Sequence, residues 1–405
     1  MSVAWPDDAA ARTCVDRQPA DLPEGARLEV VATSGALLAL KEDWQALEAA
    51  AARPHHVFQS FAWCGAWARH FLSEAASAEP ALIAGWLGGR LVMLWPLMIA
   101  RHGPVRVLKW LTDPFGQYGD VLVAPDIDAA PWLSRAWQIA RTELGIDAAF
   151  LRHVRVDATA YPFLSASCAT SIARECAPCL DLSAFADGAA YDRRYGKEQR
   201  RRRQRIQRKL ETLGPVRFGM DDLSDGSAGT VGWMIAEKRR WLAVRGLMSP
   251  VVANARLHAF LGDLGAETGD APLAAAPVLR CGDRPVAAEL ALRYRGGHFA
   301  YLTAHDHRLH DLSPARLHMH LSQKWCLENG LALFDLMVPG DGYKESWSNG
   351  SVDVFDFLAP ASAMGRLYCR AYLRHLRPHI RAAYRRLGRR VRRPVIALLT
   401  KFGGF

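Results

Sequence analysis

The stretch from 272 to 358 constrains the fold more than any other part of the chain. Two apolar runs of strand length, 272–279 and 285–294, flank Cys281-Gly282-Asp283, the composition of a tight turn. A third run, 298–304, follows the turn residues Gly296-Gly297. The pattern then changes. A polar loop, 305–312, leads to Ser313-Pro314, a hydroxyl side chain followed by proline, as at the start of a helix; Asn329-Gly330 ends that helix as glycine commonly does. Two more strands follow, 333–337 and 352–358. A hairpin, a strand, a helix and two further strands bury their apolar faces only if the helix lies on the sheet. The expected class is therefore α/β (α+β), with a mixed, mainly antiparallel sheet flanked by helices.

At 405 residues the chain exceeds what one hydrophobic core usually supports, so two such units are expected. Upstream, Trp44 and Leu47 mark one helix, and Phe58-Gln59-Ser60-Phe61-x-Trp63-x-x-x-Trp67 reads as an entry turn and a second helix with Ser60 as its N-cap. The runs 81–86 and 91–99 flank Gly88-Gly89-Arg90 as a hairpin, a helix lies within 125–144, and 148–154 is a strand. A short strand at 179–182 opens the second unit, followed by helices at 192–213, 233–245 and 254–265. The expected organisation is a flexible tail at 1–27, a first domain at 28–175, a second at 176–360 and a basic tail at 361–405.

Charge is concentrated rather than spread. The formal net charge is +10, yet 357–405 alone holds twelve Lys or Arg and no Asp or Glu, which leaves the rest of the chain at −2. In that tail Leu373, Leu376, Ile380, Tyr384 and Leu387 recur at helical spacing beside Arg370, Arg374, Arg377, Arg381 and Arg385, with Pro378 as a kink. Such a helix either rests on an anionic membrane surface or docks on the protein's own body. A second basic element, the helix 192–213, carries ten Arg or Lys. Without aromatic interleaving it reads as a solvated face near an anionic acceptor or membrane rather than a nucleic-acid arm. No stretch approaches the length of an apolar membrane helix. Eight cysteines lack the density of a disulfide scaffold; Cys176-x-x-Cys179, with Cys168 upstream, has no fourth ligand at zinc spacing. The expectation is a cytoplasmic protein in a reducing compartment, at most peripheral at the inner membrane face, with no metal.

The block Leu312-Ser313-Pro314-Ala315-Arg316-Leu317, then Trp325, Asn329-Gly330, Phe334-Asp335-Leu336 and Gly342-Tyr343-Lys344-x-x-Trp347, resembles the carboxyl-terminal GNAT domain of CelD-type acetyltransferases, named for an association with cellulose biosynthesis. The arginine-rich helix and Phe58-Gln59-Ser60 with Trp63 extend the resemblance over most of 28–358. Ala315 stands where that family commonly has Gly. The resemblance, shared with Fem-type peptidyltransferases, implies tandem GNAT-like domains, the second binding acetyl-CoA or a longer acyl-CoA. It also implies an acceptor that is a small molecule or a lipid-linked sugar of cellulose, exopolysaccharide or cell-envelope synthesis. An aminoacyl-tRNA-dependent transferase of the Fem kind and a non-catalytic scaffold are the alternatives.

For that donor, the helix opening at Ser313, Ala315 and Arg316 offers backbone N–H groups and a cation to a diphosphate, although an ordinary capped helix has the same sequence. The resemblance places the pantetheine along Leu302 and Thr303. Lys344 is the candidate to stabilise the tetrahedral oxyanion and Tyr343 to protonate the leaving thiolate; the bland reading of the pair is a surface turn. Asp335, amid apolar neighbours on a strand, is either a base or the anchor of the following loop. Glu289, on another apolar strand, points into the acceptor cleft or lies at an exposed edge. His305, His307 and His310 read as surface histidines.

Overall fold

The computed structural model describes residues 22–72, 78–167, 170–221, 223, 229–247, 249–266, 272–376 and 379. Among these, an eleven-stranded sheet runs through both halves of the chain, with a four-stranded sheet beside it. In sheet order the large sheet contains Val216–Asp221, Ala274–Cys281, Arg284–Tyr294, Gly297–His305, Leu333–Asp335, Thr170–Asp181, Gly350–Pro360, Ala148–Arg155, Val105–Trp110, Leu97–His102 and Ala78–Pro80. The fold is mixed α/β, with mixed, mainly antiparallel sheets flanked by helices, as the strand, helix and turn pattern implied. Thr170–Asp181 runs through position 175 and pairs with Leu333–Asp335 on one side and Gly350–Pro360 on the other, so the halves share their central strands.

Particular residues set the local breaks. The apolar run 91–99 is two strands, because Pro96 has no N–H to continue a ladder. Arg90–Trp95 pairs with Leu82–Leu87 in the small sheet, and Leu97–His102 joins the large one. The basic segment 192–213 is also two helices, Gly188–Arg193 and Lys197–Glu211, parted at Gly196, whose backbone is extended. The run 333–337 ends as a strand at Asp335, since Met337 takes a left-handed φ of 61°. Ser60 caps Phe61–Phe71 as expected, accepting from the Trp63 N–H at 3.2 Å. The strand Ala26–Val31 begins inside the segment expected as a flexible tail; residues 1–21 lie outside the described residues.

The aromatic motif around Phe58 ties the halves together. Trp63 is fully buried and donates its indole N–H to Thr112 Oγ1 at 3.1 Å. Its ring meets Phe58, Phe260 and Tyr301 edge-on, with centroids 5.0–5.5 Å apart. Burying one such side chain is worth about 1.5–3 kcal/mol, and each aromatic pair adds about 0.5–1.5 kcal/mol. Tyr301 lies on Gly297–His305, so a motif far upstream fixes a strand that proves central to the site.

Helix Ala363–Leu367 and the turn of π-helix Tyr368–Leu376 lead into the basic tail. Tyr368, Cys369 and Leu373 are buried against Val105, Val107 and Phe150, so this part docks on the body. Pro378, Ile380, Tyr384 and Leu387 lie outside the described residues. No helix among the described residues is long and apolar enough to cross a membrane.

Candidate active site

Gly297–His305 and Leu333–Asp335 are parallel neighbours only over Gly297–Phe299 and Leu333–Asp335. Beyond Phe299 the first strand keeps its other partner, Arg284–Tyr294, while the chain after Asp335 turns away. The wedge between them opens into a cavity of about 170 Å³ bounded by Leu302, Thr303, Met337, Val338, Tyr343 and Lys344. A larger cavity of about 420 Å³ continues past Thr303 toward Ala315 and Arg316, with Lys238 and Trp241 on its other wall. Tyr343, Lys238, Asp341 and Thr303 border both.

Helix Pro314–Glu328 presents its amino-terminal end to the larger cavity. Ser313 occupies the N-cap position but is left-handed (φ 55°), and its hydroxyl makes no capping bond. The expected serine cap is therefore corrected: the position is right, but the hydroxyl caps nothing, and of the first-turn donors the Arg316 N–H goes to the Ser313 carbonyl at 3.1 Å while the Ala315 N–H faces the cavity end. An anion at such a terminus gains from both the N–H donors and the helix dipole. Leu302, Thr303, Ala315 and Arg316 thus lie along one continuous hollow.

Met337, strained at positive φ, is gripped from both ends. Its N–H donates to Asp335 Oδ1 at 2.7 Å, and its carbonyl accepts from Lys344 Nζ at 2.9 Å. Lys344 Nζ also donates to the Pro339 carbonyl at 2.8 Å. The lysine is buried, and that desolvation lowers its pKa. Its ammonium is committed to two carbonyls of the cleft wall, a different task from meeting an oxyanion. Gly340 completes the turn: a Cβ there would collide with the Cys176 sulfur.

The contacts of Asp335 fit the second of its two readings, the anchor of the following loop. Its side chain is fully buried and accepts from Tyr118 Oη at 2.8 Å, Arg155 at 2.9 Å and the Met337 N–H. Burial pushes its pKa up, opposed chiefly by the Arg155 guanidinium. A carboxylate so occupied, and absent from both cavity walls, anchors the loop rather than acting as a base. Tyr118 in turn places its carbonyl to accept from Gln59 Nε2 at 2.9 Å, which links the upstream motif to the cleft.

Glu289 lies neither at an edge nor on a cavity wall. It is fully buried and hydrogen-bonded to His298, which is itself fully buried. Burial disfavours the imidazolium, but the Cys326 sulfur and the Glu289 carboxylate outweigh it and raise His298 to about 10. His305 and His310 border the larger cavity with their rings stacked 5.8 Å apart, while His307 bonds Glu237 at 3.0 Å. Tyr343 is half exposed at the mouth of both cavities, with its pKa raised by burial and by the Asp341 and Glu289 charges.

The sequence reading missed Lys238 and Asp341. Lys238 reaches from Thr230–Arg245 to donate to the Thr303 carbonyl at 3.3 Å, and desolvation lowers its pKa. A lysine amid Glu237, Arg239 and Arg240 has the sequence context of a solvated helix face.

Two clusters have the residue types of metal sites. At His55, His56 and Asp120, the carboxylate already accepts from both imidazoles and from the N–H groups of Val121, Thr159 and Ala160. These exceed the roughly four lone-pair directions a carboxylate offers. At Glu237, Asp306 and His307, Asp306 is held by Arg284 and Arg308, and Glu237 by Arg240 and His307. Cys176 and Cys179, three apart on Thr170–Asp181, point to opposite faces of the strand. Cys168 lies outside the described residues.

Lys344→Met is expected to lower the melting temperature, because the loop carbonyls lose their donor. Thermal melts of the variant and the wild type check this; an unchanged melt would remove the anchoring role.

Residues 197–345 match the family model of an acetyltransferase (GNAT) domain. No curated protein matches the chain. Among solved structures the chain is similar to FemX, at 10% identity and a TM-score of 0.57, over 85% of this chain and 99% of that one. It is also similar to a conserved protein of unknown function from Bacteroides thetaiotaomicron, at 10% identity and a TM-score of 0.50, over 82% of this chain and 100% of that one. At such identities the likeness shows the fold. Residues 197–345 therefore match a GNAT acetyltransferase domain, and most of the chain shares the fold of FemX.

Proposed function

We propose that the protein is an acyl-CoA-dependent N- or O-acyltransferase whose acceptor is a sugar or lipid-linked precursor of polysaccharide or cell-envelope synthesis. One observation carries the donor assignment: the wedge between Gly297–His305 and the chain after Asp335 leads directly to an uncapped helix terminus. The acyl-pantetheine runs along Leu302 and Thr303, and the diphosphate meets the N–H groups and Arg316 at the start of Pro314–Glu328. The acceptor class rests on the resemblance of 312–347 to CelD-type sequences.

In the reaction, the acceptor nitrogen or oxygen attacks the thioester carbonyl and the acceptor's proton passes to Asp341. Lys238 meets the oxyanion with its ammonium. As the C–S bond breaks, Tyr343 gives its phenolic proton to the thiolate and regains one from solvent on its exposed side. Met337, clamped by Asp335 and Lys344, keeps the cleft wall in place.

The protein acts in the cytoplasm, and its basic tail holds it at the anionic face of a membrane. A second reading, transfer from charged tRNA, is favoured by the exposed cations of Lys197–Glu211. A thermal-shift series decides first. Acetyl-CoA or a longer acyl-CoA at about a hundred times its dissociation constant should stabilise the fold by about 2.7 kcal/mol. No shift with any acyl-CoA would exclude the proposed donor and leave the tRNA and scaffold readings.

A further inference from the structure

The donor cavity does not end at Arg316. That residue and Trp347 also form one wall of a separate groove of about 100 Å³, whose other wall is the helix Lys197–Glu211. Gln199, Arg202 and Arg203 face into it, with Tyr195 at its side. The helix carries eight Lys or Arg, and none of them forms an ion pair with an acidic side chain among the described residues. Arg203 is buried to 9% exposure, its guanidinium 4.1 Å from the centre of the Tyr195 ring.

A guanidinium held in a groove without a counter-ion is costly unless an anion joins it, and three converging arginines match the oxygens of a phosphate. The groove's size fits a phosphate or part of a nucleotide rather than a nucleic-acid duplex. Its shared wall with the donor cavity gives it a direction: a ligand whose diphosphate lies at Arg316 would extend into it. The partly exposed run of cations beyond supplies long-range attraction.

We propose that this groove seats the 3′-phosphoadenosine end of coenzyme A, with Arg202 and Arg203 taking the 3′-phosphate and Arg316 bridging to the diphosphate. The inference rests on the acyl-CoA reading. Tyr195, whose ring centre lies 4.1 Å from the Arg203 guanidinium, acts as a positioning residue that holds it in the groove.

The test compares coenzyme A with 3′-dephospho-coenzyme A by calorimetry on the full chain. The wild-type protein should bind coenzyme A about 10-fold or more tightly than the dephospho form, the size of one charge-assisted contact. Arg202→Gln, at an exposed position that the fold does not need, should shrink that ratio while leaving dephospho-coenzyme A affinity unchanged. Arg203→Lys, which keeps the charge but not the fork, should shrink it as well. Equal wild-type affinities would overturn the groove assignment and leave the donor reading standing, as would a variant that weakens both ligands alike. Failure of both ligands to bind, with tRNA retained on a filter in a manner that Arg202→Gln abolishes, would overturn the donor reading and assign the groove to RNA.

Discussion

Asp335→Ala is expected to lower the stability of the folded protein by about 3–5 kcal/mol, the usual consequence of removing one partner from a buried ion pair. The variant would leave Arg155, which is 5% exposed, without its interior counter-charge, and would orphan the Tyr118 hydroxyl and the Met337 N–H. Arg155 would keep Asp157, through bonds of 2.8 and 2.9 Å, but the Asp157 side chain is 45% exposed and does not replace a fully buried carboxylate. Because Tyr118 and Arg155 belong to the first half of the chain and Asp335 to the second, the damage should reach both. Urea denaturation measures the loss, with Asp157→Asn as a control expected to cost no more than about 1 kcal/mol. A loss from Asp335→Ala as small as the control's would contradict the clamp.

The second large effect concerns catalysis. Lys238→Met keeps the aliphatic stem and deletes the charge beside Thr303, so thiol release from acetyl-CoA should fall ~10²-fold or more with little change in affinity. The pH profile provides a separate check. Burial lowers the Lys238 pKa from its ordinary 10.5, so its protonated form is lost at a lower pH than for a free lysine. If the ammonium meets the oxyanion, the wild-type rate should decline as pH rises through that lowered value. Tyr343 cannot produce the same limb, because its pKa is raised and its phenol keeps its proton to higher pH. The Met variant should lack the limb. Wild-type turnover in Lys238→Met would remove the residue from the reaction.

The strands and helices of the second half were legible because turns and caps are local. Gly296-Gly297, Cys281-Gly282-Asp283 and Asn329-Gly330 lie at the ends of elements in the structure. Leu302 and Thr303 sit on the strand, and Ala315 and Arg316 on the helix, that the pattern marked out, whereas the pantetheine role given to Leu302 and Thr303 came from the family resemblance. The roles of Asp335 and Lys344 were not legible. A carboxylate on an apolar strand has one appearance whether it faces a cleft or a buried arginine from 180 residues away. Nothing local reveals that Met337 needs both its N–H and its carbonyl held. Lys238 was hidden by its neighbours, because Glu237, Arg239 and Arg240 give that turn of helix a surface composition. Its position becomes visible only when Thr230–Arg245 is laid against the splayed strand. Glu289 shows the limit of alternation: it takes neither the cleft nor the exposed edge that the pattern allowed, because it pairs with His298 in the interior.

Amide hydrogen exchange with and without acetyl-CoA tests the central claim most directly, since it needs no acceptor and reports by segment. Donor binding in the wedge predicts protection at three separated places: 300–304 on the splayed strand, 314–318 at the helix start, and 336–344 in the loop that Asp335 and Lys344 hold. Residues 82–95 of the small sheet should exchange at the same rate with and without ligand. Protection at the three segments together is the predicted result. Ligand binding with no protection at any of them, or with protection confined to the first half of the chain, would contradict a donor site in the wedge.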